Sequence, residues 1–165
     1  MAVKSPPIAW NLSSMKPLSI DKKTSKGTIL VVDDEVGPRE SLRMILKPLY
    51  EVHTASGGEE ALRFIENKDI DVVTLDLSMP GFSGIDVLKE IKKLRPNTEV
   101  IVITGYGTLS NAKEAIRLGA GDLISKPFDV AEIISIVTKS FERRSYTSRI
   151  NSLLEYFQSV QTSKP

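Results

Sequence analysis

Five short apolar runs alternate with stretches of helical periodicity between Thr28 and Phe128, and this alternation restricts the fold more than any other feature. The runs are rich in β-branched residues and are bounded by turn residues, as buried strands are. They lie at Thr28–Val32, Tyr50–His53, Ile70–Leu75, Glu99–Ile103 and Gly121–Ser125. A strand followed by a helix, repeated five times, predicts a parallel sheet covered by helices on both faces.

The stretches between the runs carry apolar residues at the spacing of an amphipathic helix. Two of these stripes are Leu42, Ile45, Leu46 and Leu49, and Ile85, Leu88, Ile91 and Leu94. Helix starts are indicated by sequences that resemble capping boxes, at Ser56–Glu59 and Asp129–Glu132, and by Pro38. With right-handed crossovers, we predict an α/β fold: a flavodoxin-like (βα)5 doubly wound parallel sheet with strand order 2-1-3-4-5.

The helical pattern after Asp129 continues past the length of helix that could cover the sheet. The stripe predicted to dock on the sheet consists of Ile133, Ile134, Val137 and Phe141. The next apolar residues follow a 4-3-4-3 spacing, which is a heptad seam: Tyr146, Ile150, Leu153, Phe157 and Val160. The break in register between the two sets predicts a stutter or bend at Glu142–Ser145. Arg143 and Arg144 are predicted to form a solvated helix face.

These patterns divide the chain into three parts. Residues 1–26 combine prolines, serines and lysines, and we predict a disordered N-terminal extension. Residues 27–141 form the α/β domain. Residues 142–165 form a helical linker or dimerisation extension, with a homodimer through this C-terminal helix as one alternative. The other alternative is a helix that packs back on its own domain.

Composition excludes several classes of protein. No apolar run approaches the roughly 18 residues of a membrane span, and no signal peptide is recognisable, so we expect a cytoplasmic protein without membrane contact. The absence of cysteine excludes disulfides and thiolate metal sites. Residues 1–27 carry a net charge of +4 and residues 28–128 a net charge of −4. The basic leader is interpreted as a solvated tail, and direct nucleic-acid binding is not predicted.

Polar residues follow the predicted strands at the points where the strands end. Asp33 and Asp34 follow the first strand, Asp76 ends the third, Thr104 the fourth, and Lys126 follows the fifth. The carboxyl ends of parallel strands share one edge of the sheet, where open α/β folds bind ligands. We therefore expect these side chains to meet in one pocket.

The predicted pocket combines three carboxylates with one ammonium and one hydroxyl group. Carboxylates that lie close together repel one another and require a cation, and oxygen donors without His or Cys suit Mg²⁺. Metal, ammonium and hydroxyl together can bind the oxygens of a phosphoryl group during transfer. Asp76, which lies between the acid pair and Lys126, is the candidate nucleophile for an aspartyl phosphate.

Four motifs in this order resemble the receiver domains of two-component response regulators: VVDDE (31–35), LDLSMPGFSG (75–84), VITGYG (102–107) and SKPF (125–128). The resemblance covers residues 28–141. It implies that Asp76 accepts a phosphoryl group from a sensor histidine kinase or a phosphotransfer protein, with Mg²⁺ as cofactor. It also implies that Asp34, Asp76 and the backbone carbonyl of Ser78 bind the metal directly, while Asp33 acts through a coordinated water.

The resemblance further implies that Lys126 holds the phosphoryl group, that the peptide bond to Pro127 is cis, and that Thr104 carries the conformational switch. The sequence departs from the family at Leu123, where receivers usually have an aromatic residue whose rotamer is coupled to the threonine. Tyr106 is hypothesised to slow dephosphorylation.

The predicted function is a phosphorylation-controlled signalling switch and not a turnover enzyme. An aspartate-nucleophile phosphatase would require a second acid at the position of Ser78. A flavin-binding protein of the same topology would hold the flavin phosphate after the first strand, where Asp33–Glu35 would repel it. The remaining alternative is a phosphorylation-independent receiver that acts as a dimerisation or interaction module. No output domain is recognisable, so we expect either a stand-alone regulator or the N-terminal piece of a larger one.

Overall fold

The computed structural model of the protein describes residues 26–105 and 109–162, with the backbone alone at 109–110 and 161–162. The hypothesis about Tyr106 and the prediction of a disordered N-terminal extension therefore fall outside the described residues. Five strands and five helices alternate along the described chain. They are β1 (Thr28–Val32), α1 (Val36–Leu46), β2 (Glu51–Ala55), α2 (Gly58–Asn67), β3 (Val72–Asp76), α3 (Gly84–Leu94), β4 (Glu99–Thr104), α4 (Leu109–Arg117), β5 (Asp122–Ser125) and α5 (Val130–Thr162).

The five strands form one sheet in the order β2-β1-β3-β4-β5, and every neighbouring pair is parallel. This confirms the predicted fold and strand order. In β1, Ile29 and Val31 pack in a cluster with residues of α1 and α5, whereas Leu30 and Val32 pack in a second cluster with residues of α2 and α3. Burial of both faces explains the unbroken apolar runs, since each buried side chain stabilises the fold by about 1.5–3 kcal/mol.

Two local predictions for α1 and α2 were wrong. Leu49 does not extend the stripe of α1, because the helix ends at Leu46 and Leu49 is exposed. Pro48 has no amide hydrogen and cannot donate to the carbonyl of Met44 four residues earlier, which explains the early end. The predicted capping box at Ser56 uses Glu60 instead of Glu59: the Ser56 amide and hydroxyl donate to Glu60 Oε2 at 2.8 and 2.9 Å. The helix α2 begins at Gly58, after Gly57 as its N-cap, and this start places Glu60 within reach.

The last helix, α5, runs without interruption through 33 residues. It begins as predicted after Asp129, whose Oδ1 accepts a hydrogen bond from the Glu132 amide at 2.8 Å. The stutter or bend expected at Glu142–Ser145 does not interrupt the helix. No helix in the described ranges, α5 included, has the length and the apolar character needed to cross a membrane.

The part of α5 beyond residue 145 is called the extension here. Its heptad residues are 41–68% exposed: Tyr146, Ile150, Leu153, Phe157 and Val160. The docked part of the same helix differs sharply, because Ile133 and Val137 are completely buried. The alternative in which the seam packs back on its own domain is therefore not what the structure shows.

The prediction that Arg143 and Arg144 form a solvated face was wrong. The side chain of Arg144 is only 16% exposed. Arg143 donates hydrogen bonds from Nε to Glu99 Oε2 at 3.0 Å and from Nη2 to Asp122 Oδ2 at 2.7 Å. These acids precede Arg143 by 44 and 21 residues, so local sequence could not reveal the contacts.

Candidate functional site

The carboxyl edge of the sheet brings together the side chains predicted from the strand ends. Asp76 is the last residue of β3, and Asp33 directly follows the adjacent strand β1. Lys126 directly follows β5, and its amide donates to the carbonyl oxygen of Thr104, the last residue of β4, at 2.8 Å. The predicted convergence of the strand ends is thus observed.

The carboxylate of Asp76 is held on both of its oxygens. Oδ1 accepts a hydrogen bond from the Ser78 amide at 2.8 Å, and Oδ2 accepts one from Lys126 Nζ at 2.6 Å. The residue is only 3% exposed. These contacts fix the orientation of the carboxylate before any ligand arrives.

The β1–α1 connection presents the two other acids. Asp33 is buried, and its Oδ1 accepts from the Glu35 amide at 2.9 Å while its Oδ2 accepts from Lys126 Nζ at 3.1 Å. Asp34 is partly exposed. Arg39 was missed by the sequence analysis, although its Nη1 donates to the Asp33 backbone carbonyl at 2.6 Å. The sequence did contain a signal for this residue: Arg39 lies near the start of α1, where the helix macrodipole disfavours a cation, so a specific contact could have been expected.

The acids fit a divalent metal. Each of Asp33, Asp34 and Asp76 offers a carboxylate oxygen, and these oxygens all lie within 4.8 Å of one another. Lys126 is a single ammonium beside three carboxylates, so the cluster retains excess negative charge. Oxygen donors without a nitrogen or sulfur ligand match the preference of Mg²⁺.

The ammonium group of Lys126 links two of the acids. Burial lowers its pKa, but the hydrogen bonds and charges of Asp76 and Asp33 outweigh burial, and the net pKa lies above the ordinary value of 10.5. The side chain is therefore protonated at neutral pH. Because the folded pKa is raised, the stabilisation from this contact is complete below pH 10.5 and is lost as the pH rises through the folded pKa.

Thr104 lies at the same edge, with its hydroxyl donating to the Gly105 carbonyl at 3.1 Å. Leu123, where the family usually has an aromatic residue, is partly buried and packs against the core cluster that contains Ala115 of α4. The Lys126–Pro127 peptide bond is cis, as the resemblance implied. The fold and site together define a parallel α/β domain. The edge formed by the carboxyl ends of its strands carries a cluster of three aspartates, two of which are hydrogen-bonded to one lysine.

Comparison with known proteins identifies the family. The family model for the response regulator receiver domain matches residues 29–138. Sporulation initiation phosphotransferase F of Bacillus subtilis (strain 168) is 38% identical over 118 residues, which are 71% of this chain and 95% of that protein. A crystal structure of a CheY-like response regulator receiver domain protein from Methanospirillum hungatei JF-1 matches with a TM-score of 0.72 and 30% identity, and the match covers 74% of this chain and 99% of that one.

The chain therefore belongs to the family of response regulator receiver domains, which are signalling domains. A longer relative, Regulatory protein AtoC of Escherichia coli (strain K12), is 36% identical over 141 residues. That alignment covers 85% of this chain but only 30% of AtoC. The chain thus spans about a third of the length of this curated relative.

Proposed function

We propose that Asp76 accepts a phosphoryl group from a phosphohistidine on a sensor histidine kinase or phosphotransfer protein, in a reaction that requires Mg²⁺. The observation that carries the proposal is the Asp76 carboxylate held between the Ser78 amide and Lys126, inside a cluster of three acids. Phosphorylation would then shift a two-state equilibrium and control a partner or an output. The donor domain must share a compartment with this protein, and we propose the cytoplasm.

In the proposed step, a carboxylate oxygen of Asp76 forms a P–O bond while the P–N bond of the phosphohistidine breaks. The departing imidazole keeps the electron pair of that bond and takes up a proton. Lys126 already lies 2.6 Å from Asp76 Oδ2, so its ammonium can transfer a hydrogen bond from the carboxylate to a phosphoryl oxygen. Thr104 would supply a hydroxyl to another phosphoryl oxygen.

The metal would be held by Asp34, Asp76 and the backbone carbonyl of Ser78, with Asp33 acting through a water. When bound, it neutralises charge that develops on the phosphoryl oxygens. The Ser78 amide donates to Asp76 Oδ1, and this turn fixes the backbone from which the Ser78 carbonyl projects.

The proposal is tested with phosphoramidate, a small donor that has the same P–N bond, in the presence of Mg²⁺. Intact mass should increase by one phosphoryl group in the wild type and not in Asp76→Asn. Asp86→Asn, which changes an exposed aspartate of α3, is the matched control and should be phosphorylated normally. A phosphoryl adduct that persists in Asp76→Asn would disprove the assignment of the acceptor.

The exposed heptad face of the extension favours a second role as an interaction module. Apolar patches on a protein surface mark interaction sites, and a seam repeated every 3.5 residues fits a helix of the same kind. We propose that the extension pairs with its counterpart in a second copy of the chain. The seam contains no residue of the proposed phosphorylation site, so such pairing would also serve the alternative of a phosphorylation-independent receiver.

Dimerisation is tested by sedimentation of the wild type, Leu153→Asn and Ser152→Asn. Both variants introduce the same side chain at neighbouring positions of the helix, but only Leu153 lies in the seam. We expect dimers of the wild type and Ser152→Asn, and monomers of Leu153→Asn. Equal behaviour of the two variants would exclude the seam as the interface.

A further inference from the structure

The edge of the sheet opposite the candidate site carries a cluster of acids that contact two arginines of α5, Arg143 and Arg144. Glu99 begins β4 and Asp122 begins β5, and both accept hydrogen bonds from Arg143. Arg144 forms longer ion pairs, with 3.7 Å from its Nε to Oδ1 of Asp71, the residue before β3. We call this set of contacts the arginine clamp.

The same three strands end at the candidate site. Asp76 lies five residues after Asp71 along β3, and Thr104 lies five residues after Glu99 along β4. Along β5, Lys126 follows Asp122 by four residues. At about 3.3 Å per residue, each strand connects the clamp to the site over roughly 13–17 Å. The strands β3 and β4 are buried, and close-packed protein interiors have low compressibility and transmit strain.

The clamp is located where α5 leaves the body of the domain. Ser140, one turn earlier, is completely buried, and its hydroxyl accepts a hydrogen bond from Arg143 Nη2 at 2.9 Å. Tyr146, one turn later, is highly exposed. The clamp therefore contains the last polar contacts between the sheet and the helix before the extension begins, and these contacts set its direction.

Two observations indicate that the clamp is closely packed. A Cβ atom at Gly121 would lie 2.5 Å from Glu99 Oε2 and 3.0 Å from Arg143 Nη2, so only glycine permits the observed approach. Lys92 of α3 donates to the Thr98 carbonyl at 2.7 Å, and its charge also interacts with Glu99. Because Glu99 lies on β4 and Asp122 on β5, a displacement of one strand relative to the other would change the hydrogen bonds that Arg143 makes to both acids.

We propose that Arg143 and Arg144 are positioning residues that make the direction of the extension depend on the relative placement of β3, β4 and β5, and hence on the state of Asp76. The dependence on Asp76 rests on the proposed function, whereas the positioning of the extension does not. The surface regulated in this way is the seam offered to the second copy.

The test uses spin labels, because the chain has no cysteine and accepts labels at chosen sites. Cysteines replace Glu66 of α2 and Glu155 of the extension, both exposed, in the full chain. Labelled protein is diluted with unlabelled protein, so that double electron–electron resonance reports the distance within one copy. Circular dichroism checks that each variant is folded.

We expect one narrow distance peak for the wild type and a broad distribution for the double variant Arg143→Gln/Arg144→Gln. The matched control, Arg117→Gln/Arg149→Gln, removes two exposed charges and should retain the narrow peak. Gly121→Ala keeps every charge and should still broaden the distribution, because its methyl group separates Glu99 from Arg143. A narrow, unshifted peak in the double variant would overturn the positioning role.

The second comparison is between the protein with and without beryllofluoride and Mg²⁺, which imitate the phosphorylated state. Binding of beryllofluoride is checked independently by fluorine-19 nuclear magnetic resonance. We expect bound beryllofluoride to shift the peak in the wild type and to leave the distribution of the double variant unchanged. Binding without any shift in the wild type would overturn the link to Asp76. A failure to bind would contradict the proposed function, while the comparison without ligand still decides whether the clamp positions the extension.

Discussion

Gly84, the first residue of α3, packs so closely against Asp76 that a Cβ atom at Gly84 would lie 2.6 Å from the Asp76 carbonyl oxygen. The same Cβ would also lie 2.6 Å from the Leu77 Cα, so only backbone atoms could move to make room. The start of α3 thus holds the backbone of the candidate acceptor directly.

We predict that Gly84→Ala lowers the free energy of unfolding by about 1–3 kcal/mol, as overpacking of a rigid site does. Gly37→Ala is the matched control, because no atom lies within 4 Å of a Cβ at Gly37 in α1. This control should raise the free energy by about 0.5–1 kcal/mol, since alanine restricts the unfolded chain. Urea unfolding measures both, and equal effects of the two substitutions would contradict the close approach.

Asp34→Asn should stabilise the protein in the absence of metal, because it removes one of three carboxylates that lie within 4.8 Å of one another. We expect a gain of about 0.5–2 kcal/mol in the free energy of unfolding. Mg²⁺ should raise the melting temperature of the wild type by mass action and have little effect on the variant. In the control, Asp86→Asn, Mg²⁺ should raise the melting temperature as much as in the wild type. If Mg²⁺ raised the melting temperature of Asp34→Asn to the same extent, Asp34 would not be a metal ligand.

Asp129→Ala should lower the free energy of unfolding by about 1 kcal/mol, because Asp129 Oδ1 caps α5 by accepting from the Glu132 amide. Asp129→Asn keeps an acceptor of similar capping strength and should differ little from the wild type. Thermal unfolding of the three proteins gives the comparison. If alanine and asparagine were equally destabilising, charge and not the hydrogen bond would explain the effect.

The contact between Ser56 and Glu60 predicts a pH dependence. The Ser56 amide, followed by its hydroxyl, lowers the pKa of Glu60 below 4.5. The stabilisation is therefore complete above pH 4.5 and is lost as the pH falls through the folded pKa. Ser56→Ala removes only the hydroxyl bond and should cost about 0.5 kcal/mol at neutral pH.

That difference should disappear in acid below the folded pKa of Glu60. Ser135→Ala, on an exposed position of α5, provides a control in which no pH dependence is expected. Urea unfolding over a pH series measures both variants. If the difference in the free energy of unfolding between Ser56→Ala and the wild type stayed constant throughout the series, the Ser56 hydroxyl would not contribute to the lowered pKa of Glu60.

The sequence was most informative where topology alone decides position. Asp33, Asp76 and Lys126 could be placed together before any coordinates, because parallel strands carry their carboxyl ends to one edge. Arg39 escaped prediction because its contact is to a backbone carbonyl, which leaves no complementary residue in the sequence. Leu49 was misassigned because helical periodicity was given more weight than Pro48 beside it, which lacks the amide hydrogen that the next helical hydrogen bond requires.

The contacts of Arg143 and Arg144 could not be predicted for a different reason. Their partners lie at the amino ends of strands, and the pairing depends on the exact rotation of α5 over the sheet. Hydrophobic periodicity determines which face of a helix is buried, but it does not determine where a side chain at the border of that face finds its ion pair.

The continuity of α5 has a mechanical consequence. From Arg144 to Thr162 the helix is about 27 Å long, and nothing in the described chain interrupts it. A rigid rod of that length, held at one end, amplifies motion: a tilt of about 10° at the clamp moves the far end by about 5 Å, nearly one helical turn. Displacements too small to expose the core of the domain would therefore suffice to bring two seams into or out of register.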